Sequence, residues 1–318
     1  MSDPVARDRL RTAAETAIHD CMDLGTEESC LVVTDDERES VGETLHDVAA
    51  ETTAAAAVIR YPPGESHGEE PPAPVAAAMT GADVVLAPTS RSLSQTRART
   101  DASEAGARVA TLPGITPAVF ETGLDADYDR IAAECGRLRK ALADADEVRV
   151  TDDNGTDLTI APGDREWRED TGVVHDPGGM TNLPAGETFV SPVTADGRYV
   201  VDGTMMPHGR LETPIEFEVE DGSVTSISDP AVRETVEDAA TEVGNAAYNL
   251  AELGVGANHA VTDLVGSVLL DEKAGGTVHV AVGDDAGIGG DTGAPIHLDG
   301  VLTDPTLYAD GERVDLPA

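Results

Sequence analysis

The sequence predicts an α/β protein in which an N-terminal parallel-sheet domain is followed by an α+β domain. In the first part, short apolar strands alternate with helices, a pattern typical of parallel βαβ units covered on both faces. After residue 146 the pattern changes to alternating strands around tight turns, which favours antiparallel pairing. We therefore expect an α/β domain over residues 1–146 and an α+β domain over residues 147–318.

In the first domain, helices are predicted where apolar residues recur at helical spacing, and strands where apolar runs are short. The predicted helices cover residues 5–24, 40–54 and 127–144. The predicted strands cover residues 31–36, 55–63, 82–88 and 106–114.

In the second domain, two hairpins are predicted from alternating residues around turn sequences. Residues 147–162 surround Asp153-Asn154-Gly155, and residues 215–228 surround Asp221-Gly222. Residues 230–250 have a helical pattern, and residues 276–282 alternate as a strand.

The charge of the chain is extreme, with 61 acidic residues against 21 Lys plus Arg and a net charge of −40. Lys140 and Lys273 are the only lysines, and the acidic residues are spread along the whole chain. This composition favours a halophilic protein from a high-salt cytoplasm; the alternative is an acidic protein that binds basic partners. Without a basic stripe to neutralise phosphates, a nucleic-acid partner is excluded.

Cysteine usage and hydropathy predict a soluble, cytoplasmic protein. Cys21, Cys30 and Cys135 have no ligand-like spacing and are expected to be reduced thiols. No apolar run reaches membrane length, and the N-terminus has a mixed-charge pattern unlike a signal peptide. We expect no membrane partner.

The last third of the chain concentrates carboxylates and imidazoles. The candidates are Glu187, Glu252, His279, His297 and Asp299. Together they form the ligand set of a hydrolytic metal site, and an extended His-x-Asp segment puts both side chains on one face. Each residue also has a simpler interpretation, because a strand histidine is often hydrogen-bonded in a core and acids usually lie at the surface.

Two features near these candidates add to the hypothesis. Glu252 is expected to open a Gly-rich turn after the helix that ends near Leu250. Lys273, in a chain that almost dispenses with lysine, is either a buried ammonium paired to Asp271 or Glu272, or a surface residue. The glycine-rich residues 283–293 are expected to form a loop bordering the site, because they lack the spacing of a phosphate-binding loop.

Four ordered segments, NLPAGETFVSPV, AELGVGAN, LLDEKAGGTVHVAVG and HLD, resemble the aminopeptidase T / aminopeptidase S family of leucyl aminopeptidase-like, thermophilic metallopeptidases. The resemblance, here to a haloarchaeal-type member, implies a homodimer that removes N-terminal residues from peptides with a metal-activated water. It implies two divalent ions (Zn, Co or Mn), with Glu252 as the candidate bridging ligand. Glu187 and Lys273 are the candidate catalytic residues, Lys273 because the chain keeps a lysine at this place. The implied metal ligands are Glu187, Glu252, His279, His297 and Asp299.

Two positions depart from that family. Gly186 precedes Glu187 where the family commonly has a second glutamate, and Ala286 stands where the family has a tyrosine that stabilises the tetrahedral intermediate. Proximity to Glu187 in the sequence adds three candidate substrate-side residues: Arg165, Trp167 and His208.

The chain also resembles the 2,5-dihydroxypyridine ring-cleaving dioxygenases, which use one Fe(II) held by two histidines and one aspartate. Here the implied facial triad is His259, His297 and Asp299. A third hypothesis is a non-catalytic binding protein on the same fold.

Overall fold

The computed structural model describes residues 4–317, save the side chains of Pro4 and Ala6, and divides them into two compact units. The first unit takes in the described residues up to Ala132 and Asp170–Ala185. The second comprises Ala133–Glu169 and the described residues from Gly186 onward. The predicted boundary near residue 146 does not anticipate the return of residues 170–185 to the first unit. Residues 1–3 and 318 of the predicted domains lie outside the described residues.

The described residues form eight α-helices and nineteen strands. The helices are α1 (Pro4–Glu15, continued by a π-helical segment Thr16–Cys21), α2 (Glu39–Thr52), α3 (Ala73–Thr80), α4 (Arg97–Glu104), α5 (Pro117–Leu124), α6 (Tyr128–Leu142), α7 (Pro230–Val243, followed by a 3₁₀ turn Gly244–Tyr248) and α8 (Val268–Asp271). The strands are β1 (Cys30–Thr34), β2 (Ala56–Arg60), β3 (Val84–Thr89), β4 (Arg108–Pro113), β5 (Val148–Thr151), β6 (Asp157–Ala161), β7 (Arg168–Asp170), β8 (Met180–Asn182), β9 (Glu187–Val190), β10 (Thr194–Val201), β11 (Thr204–Met205), β12 (Gly209–Arg210), β13 (Ile215–Glu220), β14 (Ser223–Ile227), β15 (Leu250–Gly256), β16 (Val278–Gly283), β17 (His297–Leu302), β18 (Thr306–Ala309) and β19 (Glu312–Val314).

The first unit is built on a parallel sheet with the strand order β2-β1-β3-β4-β8. Its central strands are continuous apolar runs because helices cover both faces. Leu31, Val33 and Val85 pack with Val75 and Met79 of α3 in one buried cluster. The predicted α/β class is confirmed, but β8 was not predicted because its three residues carry no apolar run.

The second unit contains two seven-stranded sheets, with the orders β14-β13-β10-β6-β5-β18-β19 and β12-β11-β17-β16-β15-β9-β7. Both predicted hairpins form, as β5–β6 and β13–β14. At the second turn Asp221 and Gly222 have φ angles of 50° and 77°, the left-handed pair that a two-residue hairpin loop requires. The predicted α+β character of this half is confirmed.

The described helices carry no span that could cross a membrane, since none combines the necessary length with the necessary apolar content.

Candidate metal centre

Four neighbouring strands place the five predicted ligand residues on one face of a sheet. Glu187 begins β9, Glu252 lies in β15, His279 in β16, and His297 and Asp299 in β17. These strands are adjacent in the order β9-β15-β16-β17, and every pairing is antiparallel. Residues that lie opposite one another on antiparallel strands share a face of the sheet. The registers of these strands therefore bring the five side chains into one region.

Small residues lie opposite each of the five and leave room for them. The opposing pairs are Gly254–His279, Gly256–Glu187, Ala281–Glu252, Ala281–Asp299 and Gly283–His297. A Cβ atom at position 254 would lie 2.0 Å from the Nε2 atom of His279. The expected turn at Glu252 is therefore wrong: Leu250–Gly256 is a wholly buried strand. Its glycines accommodate facing groups instead of reversing the chain.

Both histidines are oriented by main-chain carbonyls. The Nδ1–H group of His297 donates to the oxygen of Asp284 at 2.7 Å, and that of His279 donates to the oxygen of Glu272 at 3.1 Å. A carbonyl oxygen only accepts, so each ring carries a proton on Nδ1 and turns Nε2 toward the carboxylates. Metal-binding histidines are commonly held by this kind of hydrogen bond.

The carboxylate of Glu252 lies between the two imidazoles. Its Oε1 atom is 3.3 Å from Nε2 of His279, and its Oε2 atom is 3.2 Å from Nε2 of His297. The Nε2 atom of His297 is also 3.4 Å from Oδ1 of Asp299. The cluster therefore contains two sets of three residues, Glu187–Glu252–His279 and Glu252–His297–Asp299. Within each set the ligand atoms all lie within 4.8 Å of one another, and both sets contain Glu252.

The arrangement fits a divalent cation. A neutral imidazole with its proton on Nδ1 points a lone pair at the facing carboxylate, so a proton or a cation must lie between them. Bonds of about 2.0–2.2 Å to one metal separate neighbouring ligand atoms by about 3.0–3.4 Å, close to the distances at His279 and His297. The Oε2 atom of Glu187 is buried and accepts no hydrogen bond within residues 4–317.

Lys273 is part of the same cluster and is not a surface residue. Its side chain is buried, and its Nζ donates to Oε1 of Glu187 at 2.8 Å and to Glu272. Of the two partners expected from the sequence, Glu272 is thus the one that Lys273 contacts. Asp271 instead accepts hydrogen bonds from the Thr204 hydroxyl and two main-chain amides.

The cluster has an excess of negative charge. The carboxylates of Glu187, Glu252, Glu272 and Asp299 are all largely buried, and Lys273 supplies one compensating ammonium. With neutral imidazoles, three negative charges remain without a counter-charge from these groups. Buried charge is costly unless it is paired, so protons taken up by the cluster or a bound cation are required.

The pKa values reflect this competition. Burial opposes the charge of His279, but the hydrogen bond to Glu252 and the charge of Glu187 raise the pKa of His279 to about 9. Burial likewise opposes the charge of His297, whose pKa is nevertheless raised well above its usual range by Asp299 and Glu252. Burial raises the pKa of Glu187 to about 8, although Lys273 and His279 favour its charged form.

The remaining candidates lie elsewhere. His259 is half-buried after β15 and belongs to neither set of ligand atoms. Arg165 donates to the Ser191 hydroxyl at 2.6 Å, and Trp167 is buried just before β7. His208 contacts Asp229, which caps the N-terminus of α7. The substrate-side role of Arg165, Trp167 and His208 stays a prediction.

Sequence reasoning missed two groups that shape the cluster. Glu272 was considered only as a partner of Lys273, and the main-chain oxygen of Asp284 has no sequence pattern that identifies it. The loop between β16 and β17 does border the site, as expected, because Asp284 is its first residue.

A GxSxG pattern also occurs at residues 64–68, but it lies in the loop after β2 and not at a strand-to-helix turn.

The two departures from the aminopeptidase pattern are visible in the structure. Gly186 has a φ angle of 122°, a conformation that a glutamate side chain rarely adopts. Ala286 is exposed in the loop before β17, where its amide donates to the oxygen of Thr292. Neither position offers a further acid or hydroxyl to the cluster.

Comparison with known proteins decides the family. The family model for 2,5-dihydroxypyridine 5,6-dioxygenase (NicX) matches residues 20–315, which is nearly the whole chain. The chain belongs to this family. No curated protein sequence matches the chain.

Two solved structures share the fold of this dioxygenase-family chain. The 2,5-dihydroxypyridine dioxygenase from Pseudomonas putida KT2440 has a TM-score of 0.81 at 19% identity, covering 99% of this chain and 97% of that one. AmpT from Thermus thermophilus has a TM-score of 0.67 at 17% identity, covering 96% of this chain and 97% of that one. The resemblance to aminopeptidase T is therefore confirmed for the fold, while the family is the dioxygenase one.

Proposed function

We propose that the protein is an Fe(II)-dependent dioxygenase that cleaves a dihydroxylated aromatic ring of the 2,5-dihydroxypyridine type. The family match over residues 20–315 carries the proposal, and the geometry around His297-x-Asp299 supports it. Glu252, His297 and Asp299 would hold the metal, because their ligand atoms lie within 4.8 Å of one another. This set differs from the triad of His259, His297 and Asp299 that the resemblance implies.

A bound Fe(II) supplies the open positions at which O₂ and a hydroxylated ring can meet. The chain holds the ligands for it: the oxygen of Asp284 fixes the His297 ring, and the carboxylates of Glu252 and Asp299 are largely buried beside that ring. Glu187 lies beside this set, and its ion pair with Lys273 compensates the charge of the Glu187 carboxylate. In the metal-free protein the pKa of His279 is raised to about 9, so its ring is positively charged at neutral pH. The ring faces Glu252 and can hold that carboxylate in place.

The rival function is a two-metal aminopeptidase, the main hypothesis from the sequence. One observation favours it, namely that Glu252 belongs to both sets of ligand atoms, as a bridging carboxylate would. Gly186 and Ala286 count against it, because the second acid and the tyrosine of that family are missing. Its substrate would be a peptide with a free amino terminus, and its metals Zn, Co or Mn.

The test is metal content and O₂ uptake of protein purified anaerobically in high salt. We expect one iron per chain and, with 2,5-dihydroxypyridine, one O₂ consumed for each ring lost. His297→Ala should abolish both, whereas His19→Ala, at an exposed histidine, should change neither. Two equivalents of Zn, Co or Mn with release of N-terminal amino acids would establish the rival instead.

A third variant separates the two ligand sets. His259→Ala should leave the iron content unchanged if Glu252 completes the site. Loss of iron in His259→Ala, with retention in Glu252→Gln, would assign the metal to the triad of His259, His297 and Asp299.

A further inference from the structure

The loop of residues 284–296 joins β16 to β17 and ends at His297. Its first residue, Asp284, provides the carbonyl that accepts the Nδ1–H of His297. The next residue, Asp285, has a carboxylate that is buried, with a side-chain exposure of only 1%. Neither the ligand sets nor the proposed reaction uses this carboxylate, so its burial needs another explanation.

The Asp285 carboxylate is surrounded by hydrogen-bond donors. Its Oδ1 atom accepts from the amide of Thr292 at 2.6 Å. Its Oδ2 atom accepts from the Ser191 hydroxyl at 2.9 Å, from Nδ2 of Asn249 at 3.0 Å, and from Nη1 of Arg165 at 3.4 Å. The side chain therefore ties the loop to residues that precede β10 and β15.

The loop closes tightly around this carboxylate. The amide of Gly290 donates to the main-chain oxygen of Asp285 at 2.9 Å. A Cβ atom at position 290 would lie 2.0 Å from the Asp285 carboxyl carbon. The glycine at position 290 is thus explained by its packing against Asp285, where a larger residue would not fit.

The main chain is held on both sides of Asp284. The amide of Gly283 donates to the oxygen of Asn249 at 2.8 Å, and Nδ2 of Asn249 donates to the oxygen of Gly283 at 3.1 Å. The amide of Asp284 donates to the oxygen of Ile296 at 2.7 Å. With Asp285 anchored as well, the main chain is held on both sides of the Asp284 carbonyl, and this fixes the direction in which that carbonyl points.

We propose that Asp285 is a positioning residue for His297. It anchors the loop so that the Asp284 carbonyl accepts the Nδ1–H and the Nε2 atom is turned toward Glu252 and Asp299. The effect on metal binding rests on the proposed function, in which His297 is a ligand. The effect on the ring itself does not.

The informative variant is Asp285→Asn. Both oxygens of Asp285 only accept hydrogen bonds, so an amide group places a donor against a donor in either orientation. Asp291→Asn is the matched control, since Asp291 lies in the same loop, is also 3.4 Å from Arg165, and is 97% exposed. Ser191→Ala is a milder second variant, which removes one donor to Asp285 and keeps the acid.

Two readouts are needed for each variant. The first is the affinity for Co(II), measured by visible titration of the metal-free protein together with the ligand-field spectrum. The second is the ¹⁵N–¹H resonance of the His297 Nδ1–H in metal-free protein, assigned by its loss in His297→Gln. Thermal unfolding of each variant reports stability separately.

We expect Asp285→Asn to weaken Co(II) binding by about 10–100-fold, the usual effect of losing a group that orients a ligand. The Nδ1–H resonance should be lost to solvent exchange, Ser191→Ala should be intermediate, and Asp291→Asn should match wild type. A lower unfolding temperature with unchanged affinity, spectrum and resonance would overturn the proposal. If Asp285→Asn does not fold, Ser191→Ala decides: wild-type affinity and resonance would overturn the proposal, and weakening of both would support it.

One outcome separates this inference from the proposed function. If wild-type protein binds no Co(II), the metal site is wrong. The positioning role is then tested by the Nδ1–H resonance alone, which must still be lost in Asp285→Asn and kept in Asp291→Asn.

Discussion

The Oε2 atom of Glu252 lies 3.2 Å from the Nε2 atom of His297, across two neighbouring strand pairings of the second unit. The separation is that of two ligands on one metal, and the residues are 45 positions apart in the sequence. Glu252 is also within reach of His279, so its removal affects both sets of ligand atoms.

Glu252→Gln should therefore have the largest effect of any single change at the site. We expect metal affinity to fall by more than about 100-fold, beyond the usual cost of losing an orienting group. Chelator competition measures this affinity, and Glu218→Gln on the exposed side of β13 is the control. Equal affinities for the two variants would show that Glu252 is not a ligand.

Metal affinity should rise with pH. In the metal-free protein the pKa of His279 is raised to about 9 and that of His297 is raised well above its usual range, so both rings hold an extra proton at neutral pH. A metal needs the neutral ring, and binding must release that proton, which costs less as the pH approaches 9. Calorimetric titrations in buffers of different ionisation enthalpy should detect proton release at neutral pH. Binding that is independent of pH would contradict this account.

Gly254→Ala should disturb His279 specifically. The added methyl group would lie 2.0 Å from Nε2 of that ring, so the ring must shift from its present position. We expect a loss of about 1–3 kcal/mol in the free energy of unfolding, with weaker metal binding. Gly287→Ala, in open space on the loop before β17, is the control and should be neutral.

Lys273→Met should destabilise the metal-free protein. It leaves Glu187 and Glu272 buried without their shared ammonium, and breaking a buried ion pair costs about 3–5 kcal/mol. Lys140→Met replaces the other lysine, which is exposed, and should change the free energy of unfolding little. Chemical unfolding at high salt compares them. Similar values for the two variants would mean that the buried pair contributes nothing. Whether Lys273 also has a catalytic role stays a prediction.

Stability should depend strongly on salt. A net charge of −40 produces repulsion that salt screens, because the Debye length shortens from about 10 Å at 0.1 M to about 3 Å at 1 M. We expect the unfolding temperature to rise steadily over that range and beyond in KCl. Sucrose, which does not screen charge, is the control; equal stabilisation by sucrose would point to solvent exclusion instead.

Much of the fold could be predicted because local patterns and tertiary structure agree. The apolar runs that became β1 and β3 are buried on both faces, and the Asp221-Gly222 turn has the left-handed φ angles its composition favours. The segment around Glu252 shows the limit. Its glycines suggested a turn, yet two of them lie opposite His279 and Glu187 in a buried strand. A glycine needed for close approach cannot be told from a turn glycine by sequence alone.

The sequence by itself determined the fold class, the extreme charge and the types of side chain available for a metal site. The pairing His297-x-Asp299 also followed from it, because a period of two places both residues on one face of any strand. Only the tertiary structure decided which residues meet. Strand order and register brought Glu187, Glu252 and His279 together, buried Lys273 among them and left His259 outside both ligand sets. Register between distant strands depends on packing of the whole sheet, which no local pattern encodes.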